Sequence, residues 1–241
     1  TAYMKANFTA EFMAAVMSAE YGDADKISAA ISECKRLGIV VLPPDINKSK
    51  IGFTLENLQN LTKEELERQI GGVSEKIHKQ GIRFGLSAIK NVGILAIESI
   101  LKAREKSEFS SLRDLISRVD NRLVNKKTLE SLIKSGSMDT LEKRSSQLLI
   151  LDELLEKAHQ DNKKALLGQV GLFAEEETIK EINVKLPDID ELPLDQMLIF
   201  EKNLLGFYLH EPPYLSLLGK IDPYISHKIS DISEEIIGNK I

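Results

Sequence analysis

A mostly α-helical fold with a few short β-strands is predicted for this 241-residue sequence. Three observations carry the prediction. Leu, Ile, Lys, Glu and Ala dominate, while tryptophan is absent and aromatic residues make up only 5%, a composition that favours helices. Apolar residues recur at three- and four-residue spacing between capping residues and glycine stops. Only three short runs, at 39–42, 51–55 and 82–84, have strand character.

Taken in order, Thr9 is placed to cap a helix running AEFMAAVMSAEY, with Phe12, Val16 and Met17 on one side. Asp23 caps a second, carrying Ile27, Ile31, Cys34 and Leu37 and stopped by Gly38. IVVL, closed by Pro43-Pro44, is a buried extended segment, followed by IGFTL and Ile82-Arg83-Phe84. Between them Thr62 and Glu65 have the spacing of a capping box. Further helices are expected over 109–119, from an Asn125 cap to Gly136, over 145–159, and over 194–209. A Pro-broken, acidic linker covers 185–193.

The stretch GIRFGLSAIKNVGILAIESIL, residues 81–101, organises the rest. Its spacing predicts a helix ending near Lys90, a turn at Asn91-Val92-Gly93, and a second helix from Ile94. Leu86 and Ile89 would pack against Ile94, Ile97 and Leu101. Gly93 is free to take φ > 0, and Asn91 tolerates it. Backbone N–H groups would then project at a helix N-terminus, where a phosphate is favoured, with Lys90 as a neighbouring cation. That is the pattern of a helix-hairpin-helix, and a plain αα-hairpin with a glycine turn fits the same residues. A second, less regular hairpin is expected around 122–141. Arg122, Lys126, Lys127 and Lys134 are either its phosphate contacts or ordinary solvated helix charges. The predicted class is therefore a mostly helical chain with tandem helix-hairpin-helix units and a few short strands.

Charge supports the nucleic-acid reading. The chain carries a net −5, yet residues 74–145 hold 15 Lys+Arg against 9 Asp+Glu, a net +6. Residues 1–73 carry −2 and residues 146–241 carry −9. A basic block around the hairpin inside an acidic chain is what a backbone-binding module requires.

Other chemistry is missing from the pattern. Cys34 is the single cysteine, so no intramolecular disulfide forms, and a cytoplasmic location is the simplest expectation. No apolar run reaches about 18 residues, and no membrane partner is expected. His78, His159, His210 and His227 lack a second ligand at metal-binding spacing. Phosphate-binding glycine loops and the G-x-S-x-G elbow are absent. No catalytic residue, metal or cofactor is assigned to this chain. It begins at Thr1 without an initiator Met, which reads as a piece of something longer.

One loop motif remains. Gln169-Val-Gly-Leu172-Phe173 precedes the acidic run Glu175 to Glu177. A glutamine followed by an apolar pair suits a peptide that anchors its amide by hydrogen bonds and fills a partner's pocket. The alternative is that Leu172 and Phe173 fold back onto the chain's own core.

Assembled in this order, the pieces resemble the bacterial replicative DNA polymerase III alpha subunit. The resemblance rests on TAYMKANFTAEFMAAVMSAE, CKRLGIVVLPPDINKS, IRFGLSAIKNVG, VNKKTLESLIKSGSMD, QVGLF and NLLGFYLHEPP. It covers nearly the whole chain. It implies that residues 1–75 are the end of a fingers domain and that 76–178 form a tandem helix-hairpin-helix and clamp-binding domain. Residues 179–241 would be a linker helix leading toward a truncated oligonucleotide-binding barrel. Asn91 stands where that family usually has glycine. The resemblance further implies that Lys90, Asn91, Val92 and Gly93 contact duplex DNA, with Arg122, Lys126 and Lys127 as secondary contacts. Gln169, Leu172 and Phe173 would dock the sliding clamp, and other replicase subunits are further partners. The parent would be a DNA-directed DNA polymerase using Mg²⁺. Its palm aspartates are missing here, so this piece would be inactive alone. On the residues by themselves, a helical protein-interaction scaffold without DNA binding stays open.

Overall fold

In a computed structural model of the chain, residues 1–60, 80–166 and 187–209 are described. The N-terminal helices are α1 (Ala2–Asn7), α2 (Thr9–Ala19) and α3 (Ala24–Arg36). Asp23 caps α3 as expected, its carboxylate accepting from the Lys26 amide at 3.1 Å. Thr9 does not cap α2. The chain is already helical at Lys5, and the Thr9 hydroxyl donates back to the Lys5 carbonyl at 2.9 Å, leaving Phe8 at the cap position. Met17, Ile27, Ile31 and Cys34 are buried where the helical spacing put them.

All three strand candidates form, as β1 (Val41–Leu42), β2 (Thr54–Asn57) and β3 (Gln80–Arg83) in the order β1-β3-β2. β3 is central, parallel to β1 with Val41 opposite Ile82, and antiparallel to β2 with Leu55 opposite Ile82. Arg83 is 1% exposed. Its guanidinium donates to both Glu56 carboxylate oxygens, at 2.7 and 2.9 Å, and to the Pro43 carbonyl at 2.9 Å. One side chain thereby clips both outer segments to the central strand, in the bidentate geometry that makes such pairs strong.

The second half is α4 (Ile94–Arg104), α5 (Leu112–Arg118), α6 (Lys126–Lys134), α7 (Arg144–Leu166) and α8 (Leu194–Leu205). Ser111 caps α5 and Asn125 caps α6, each side-chain oxygen accepting an amide three residues on. Residues 1–209 form one unit, with a core continuous from Met13 to Leu205. No helix among the described residues is long and apolar enough to cross a membrane.

Residues 187–193, part of the stretch expected as a linker, are docked. The Glu191 carboxylate accepts from the amides of Arg144 and Ser145 at 2.9 and 3.0 Å, placing an anion at the N-terminus of α7. Lys143 pairs with Asp188, and the Ser146 hydroxyl donates to the Pro187 carbonyl. α8 then packs back on the molecule and ends at Gly206, whose φ of 84° needs glycine and whose Cβ would sit 3.0 Å from Ala24. Just beyond, Phe207 meets Phe84 with ring centroids 5.4 Å apart.

A buried charge cluster fixes this arrangement. Arg144 is 1% exposed and Glu201 0%. The Arg144 guanidinium donates to Asp139 at 2.7 and 2.8 Å, to Glu201 at 3.1 Å and to the Lys134 carbonyl at 3.2 Å. The second Glu201 oxygen accepts from the Leu209 amide at 2.9 Å. Gly136, with φ 80°, lies so close to this guanidinium that a Cβ would collide with it. Removing one member of a buried pair strands the other charge, at a cost of about 3–5 kcal/mol. Arg144→Ala, which removes the cation facing the fully buried Glu201, is therefore expected to lower unfolding stability by roughly that amount. Gly136→Ala, which adds left-handed strain to displacement of the guanidinium, is expected to lose at least about 2 kcal/mol. Urea unfolding followed by circular dichroism measures both.

Candidate nucleic-acid interface

The stretch that organises the sequence forms a hairpin turn with an unexpected first arm. Before the turn lies only a single 3₁₀ turn, Leu86–Ala88, in place of the predicted helix. The reason is local. Gly85 is flush against Gly52, where a Cβ would lie 2.5 Å from the Gly52 carbonyl carbon. The Leu86 and Ser87 amides donate to the Lys50 and Ile51 carbonyls at 3.0 Å each. The chain leaves β3 tied to that loop, and the few residues left before the turn do not build an α-helix.

The left-handed residue of the turn is Asn91, with φ 69°, and not Gly93, which is extended at φ −79°, ψ 154°. Asn91 therefore sits in the backbone state that glycine would take most readily, and its own contacts hold it there. Its backbone carbonyl accepts from the Thr128 hydroxyl, and its side-chain Nδ2 donates to Ser131 Oγ, both at 3.3 Å. Thr128 and Ser131 are buried on α6, so the first turn is bolted to the second hairpin. On the other side the Lys90 amide donates to the Leu204 carbonyl of α8 at 3.0 Å.

Val92 points inward, 6% exposed, and its amide donates to the Ile89 carbonyl at 3.2 Å. It props the turn from within. Gly93 is the N-cap of α4, and no side chain caps that helix. Nothing lies within 4 Å of a Cβ built on Gly93. The N-terminus of α4 thus has no side-chain cap and has room beside Gly93, the arrangement that suits an anion. Lys90 is exposed beside them and has no ion-pair partner among the described residues.

Ile94, expected to pack across the hairpin, is 37% exposed, and Leu95 is 63% exposed. Ile97, also expected to pack, is fully buried, and Ile100 joins it in the core. The sequence reading did not single out Leu95, Thr128 or Ser131. Leu95 sits one step off the predicted apolar stripe, while the two hydroxyl residues read as ordinary helix positions.

The second turn is built differently. Asn125 satisfies the Thr128 amide at the start of α6, at 3.0 Å. Arg122 forms a two-pronged pair with Asp120, at 3.0 and 2.7 Å. That hydrogen bonding, with a further one from the Arg122 amide, holds the Asp120 carboxyl down at about 2. Lys126 pairs with Asp152 of α7 at 2.5 Å, and the hydrogen bond to Asp152 raises its pKa. Lys134 pairs with Glu130 at 2.8 Å and lies 5.5 Å from the centre of the Phe200 ring. Lys127 is exposed and, among the described residues, without an ion-pair partner. The basic block is consequently far less available than its net charge implies.

Gln169, Leu172 and Phe173 lie outside the described residues, as do Thr62, Glu65, His78, His210 and His227. Among the described residues no three His, Cys, Asp or Glu side chains are grouped to hold a metal ion.

Comparison with known proteins agrees with this geometry. A family model described as a helix-hairpin-helix motif matches residues 38–148. The chain is 38% identical over 97% of its length to DNA polymerase III subunit alpha of Thermus aquaticus. It is 37% identical over 93% to that of Borreliella burgdorferi, and 37% identical over 88% to that of Bacillus subtilis. In each case it spans 17% of the relative's own length. By sequence, then, the chain is similar to one segment of DNA polymerase III alpha subunits, and not to their whole length.

Proposed function

We propose that this chain is the part of a bacterial replicative DNA polymerase, working in the cytoplasm, that holds duplex DNA by its backbone and docks the sliding clamp. The observation that carries the DNA half is the N-terminus of α4, which no side chain caps, reached through a turn with open space at Gly93 and with the exposed cation Lys90, which has no ion-pair partner among the described residues. In this reading Asn91 and Val92 shape the turn, the α4 amides and Gly93 receive one phosphate, and Lys90 and Lys127 supply charge. Leu95 rests against the sugar backbone. Such contacts position a protein on DNA without reading sequence.

The whole protein of this reading is a DNA-directed DNA polymerase whose two Mg²⁺ ions serve phosphoryl transfer. The acids that hold them belong to another part of it, and this chain alone extends no primer. For the clamp, Leu172 and Phe173 contribute roughly 1.5–3 kcal/mol each when buried. Ordering a short peptide takes back much of that. A weak, micromolar contact suffices when DNA already tethers both partners, because tethering raises the effective concentration to around millimolar.

Two measurements test these halves. Duplex binding by fluorescence anisotropy across a salt series is expected to give a slope of roughly −2 to −4 in log affinity against log salt, as two to four phosphate contacts require. Lys90→Ala with Lys127→Ala flattens it. Gly93→Val folds normally, since its side chain meets open space, and binds more weakly because it blocks the phosphate. Asn91→Gly keeps binding, while Asn91→Val loses about 1–2 kcal/mol of stability to left-handed strain. Salt-independent binding, or none, returns the chain to the protein-scaffold reading. For the clamp, calorimetric titration is expected to show binding that Gln169→Ala, Leu172→Ala and Phe173→Ala together abolish without unfolding the chain. Equal affinity of wild type and triple mutant overturns it.

A further inference from the structure

We infer that the second turn carries its own stand-ins for phosphate: Asp120 and Asp152 hold Arg122 and Lys126 in ion pairs that DNA must open, so the first turn alone provides the initial grip. The inference rests on the DNA-binding reading above and concerns how that binding is regulated.

The two turns are linked through the Asn91 contacts to α6 but differ in electrostatic state. At the first, the helix N-terminus is uncapped and Lys90 has no ion-pair partner among the described residues. At the second, every recognition element but Lys127 already holds an acceptor. The Asn125 side chain occupies the Thr128 amide. Asp120 offers both carboxylate oxygens to the Arg122 guanidinium, at 3.0 and 2.7 Å, and accepts the Arg122 amide at 3.0 Å with the first of them. A two-pronged carboxylate on a guanidinium repeats the geometry of a phosphate on the same group. Asp152 is contributed by a different helix, α7, and reaches Lys126 at 2.5 Å, with Glu130 behind it at 3.9 Å.

Exposed pairs of this kind are individually weak, so a duplex held close by the first turn is able to displace them. Each displacement gains a phosphate contact but frees a carboxylate beside the phosphodiester backbone. The two changes offset each other, and Arg122 and Lys126 add little net affinity to the wild-type chain. The carboxylates thereby keep the grip weak and local, which suits a protein that must move along DNA.

The test is a set of duplex titrations across a salt series with the 241-residue chain. Asp120→Asn with Asp152→Asn keeps the side-chain shapes and the Asp120 acceptor for the Arg122 amide while removing both charges. This double variant is expected to bind roughly tenfold tighter at low salt, with a slope steeper by about 1 to 2, because two more phosphates are neutralised. Arg122→Ala with Lys126→Ala changes wild-type affinity less than about twofold, yet erases the gain in the Asp→Asn background; such non-additivity marks coupled groups. Glu11→Gln with Asp25→Asn, on α2 and α3, removes the same charge away from the turns and leaves the slope unchanged. Equal tightening by this control reduces the effect to net charge and overturns the inference. So does an Arg122→Ala, Lys126→Ala variant that weakens the wild type as much as Lys90→Ala with Lys127→Ala does. In that last case the DNA-binding reading survives; absence of binding by every variant removes both.

Discussion

The Arg144 guanidinium is the point on which the arrangement of the second hairpin depends. From a buried position it joins the surface residue Asp139, the Lys134 carbonyl at the end of α6, and the buried Glu201 of α8. A buried cation of this kind is held only if several acceptors surround it, because desolvation otherwise exceeds the Coulombic gain. Fixing Glu201 fixes α8, and α8 presents the Leu204 carbonyl to the Lys90 amide. A charge cluster remote from the turn thus sets one wall of the turn, while Thr128 and Ser131 set the other through Asn91. The turn is held between two elements and is not a free loop.

Under the proposed function that rigidity has a meaning. A phosphate site made of backbone amides works through preorganisation, since each N–H must already point outward before the anion arrives. Asn91 illustrates how the fold replaces glycine's freedom with specific contacts. Its left-handed φ is disfavoured for most side chains, and two hydrogen bonds to α6 hold the strained residue in place. The same two bonds couple the hairpins, so the first turn cannot shift without disturbing the second.

Electrostatics divides the two hairpins more sharply than sequence does. Both carry cations beside a helix N-terminus, yet most of those at the second are matched by carboxylates within the chain. The net +6 of residues 74–145 is an average over cations of very different availability. Arg83 and Arg144 are buried structural clips, and only exposed cations such as Lys90 and Lys127 face outward without a matched acid among the described residues.

The fold class, the three strand positions and the caps at Asp23 and Asn125 were legible in the sequence, because they depend on residue types and near neighbours. Asp23, Ser111 and Asn125 each cap an amide three positions on. Gly38 and Gly136, both left-handed, mark helix ends that a single residue type dictates, whereas the helix expected over 194–209 stops at Leu205 before the left-handed Gly206. The existence of the Asn91–Gly93 turn was legible for the same reason. Tertiary structure alone decided its form. Which residue takes φ > 0, why its first arm is only a 3₁₀ turn, and which cations remain unpaired are set by Gly52, Ser131, Leu204 and Asp152. Each is far from the turn in sequence, and no local pattern encodes the hydrogen bonds and ion pairs they make once the chain has packed.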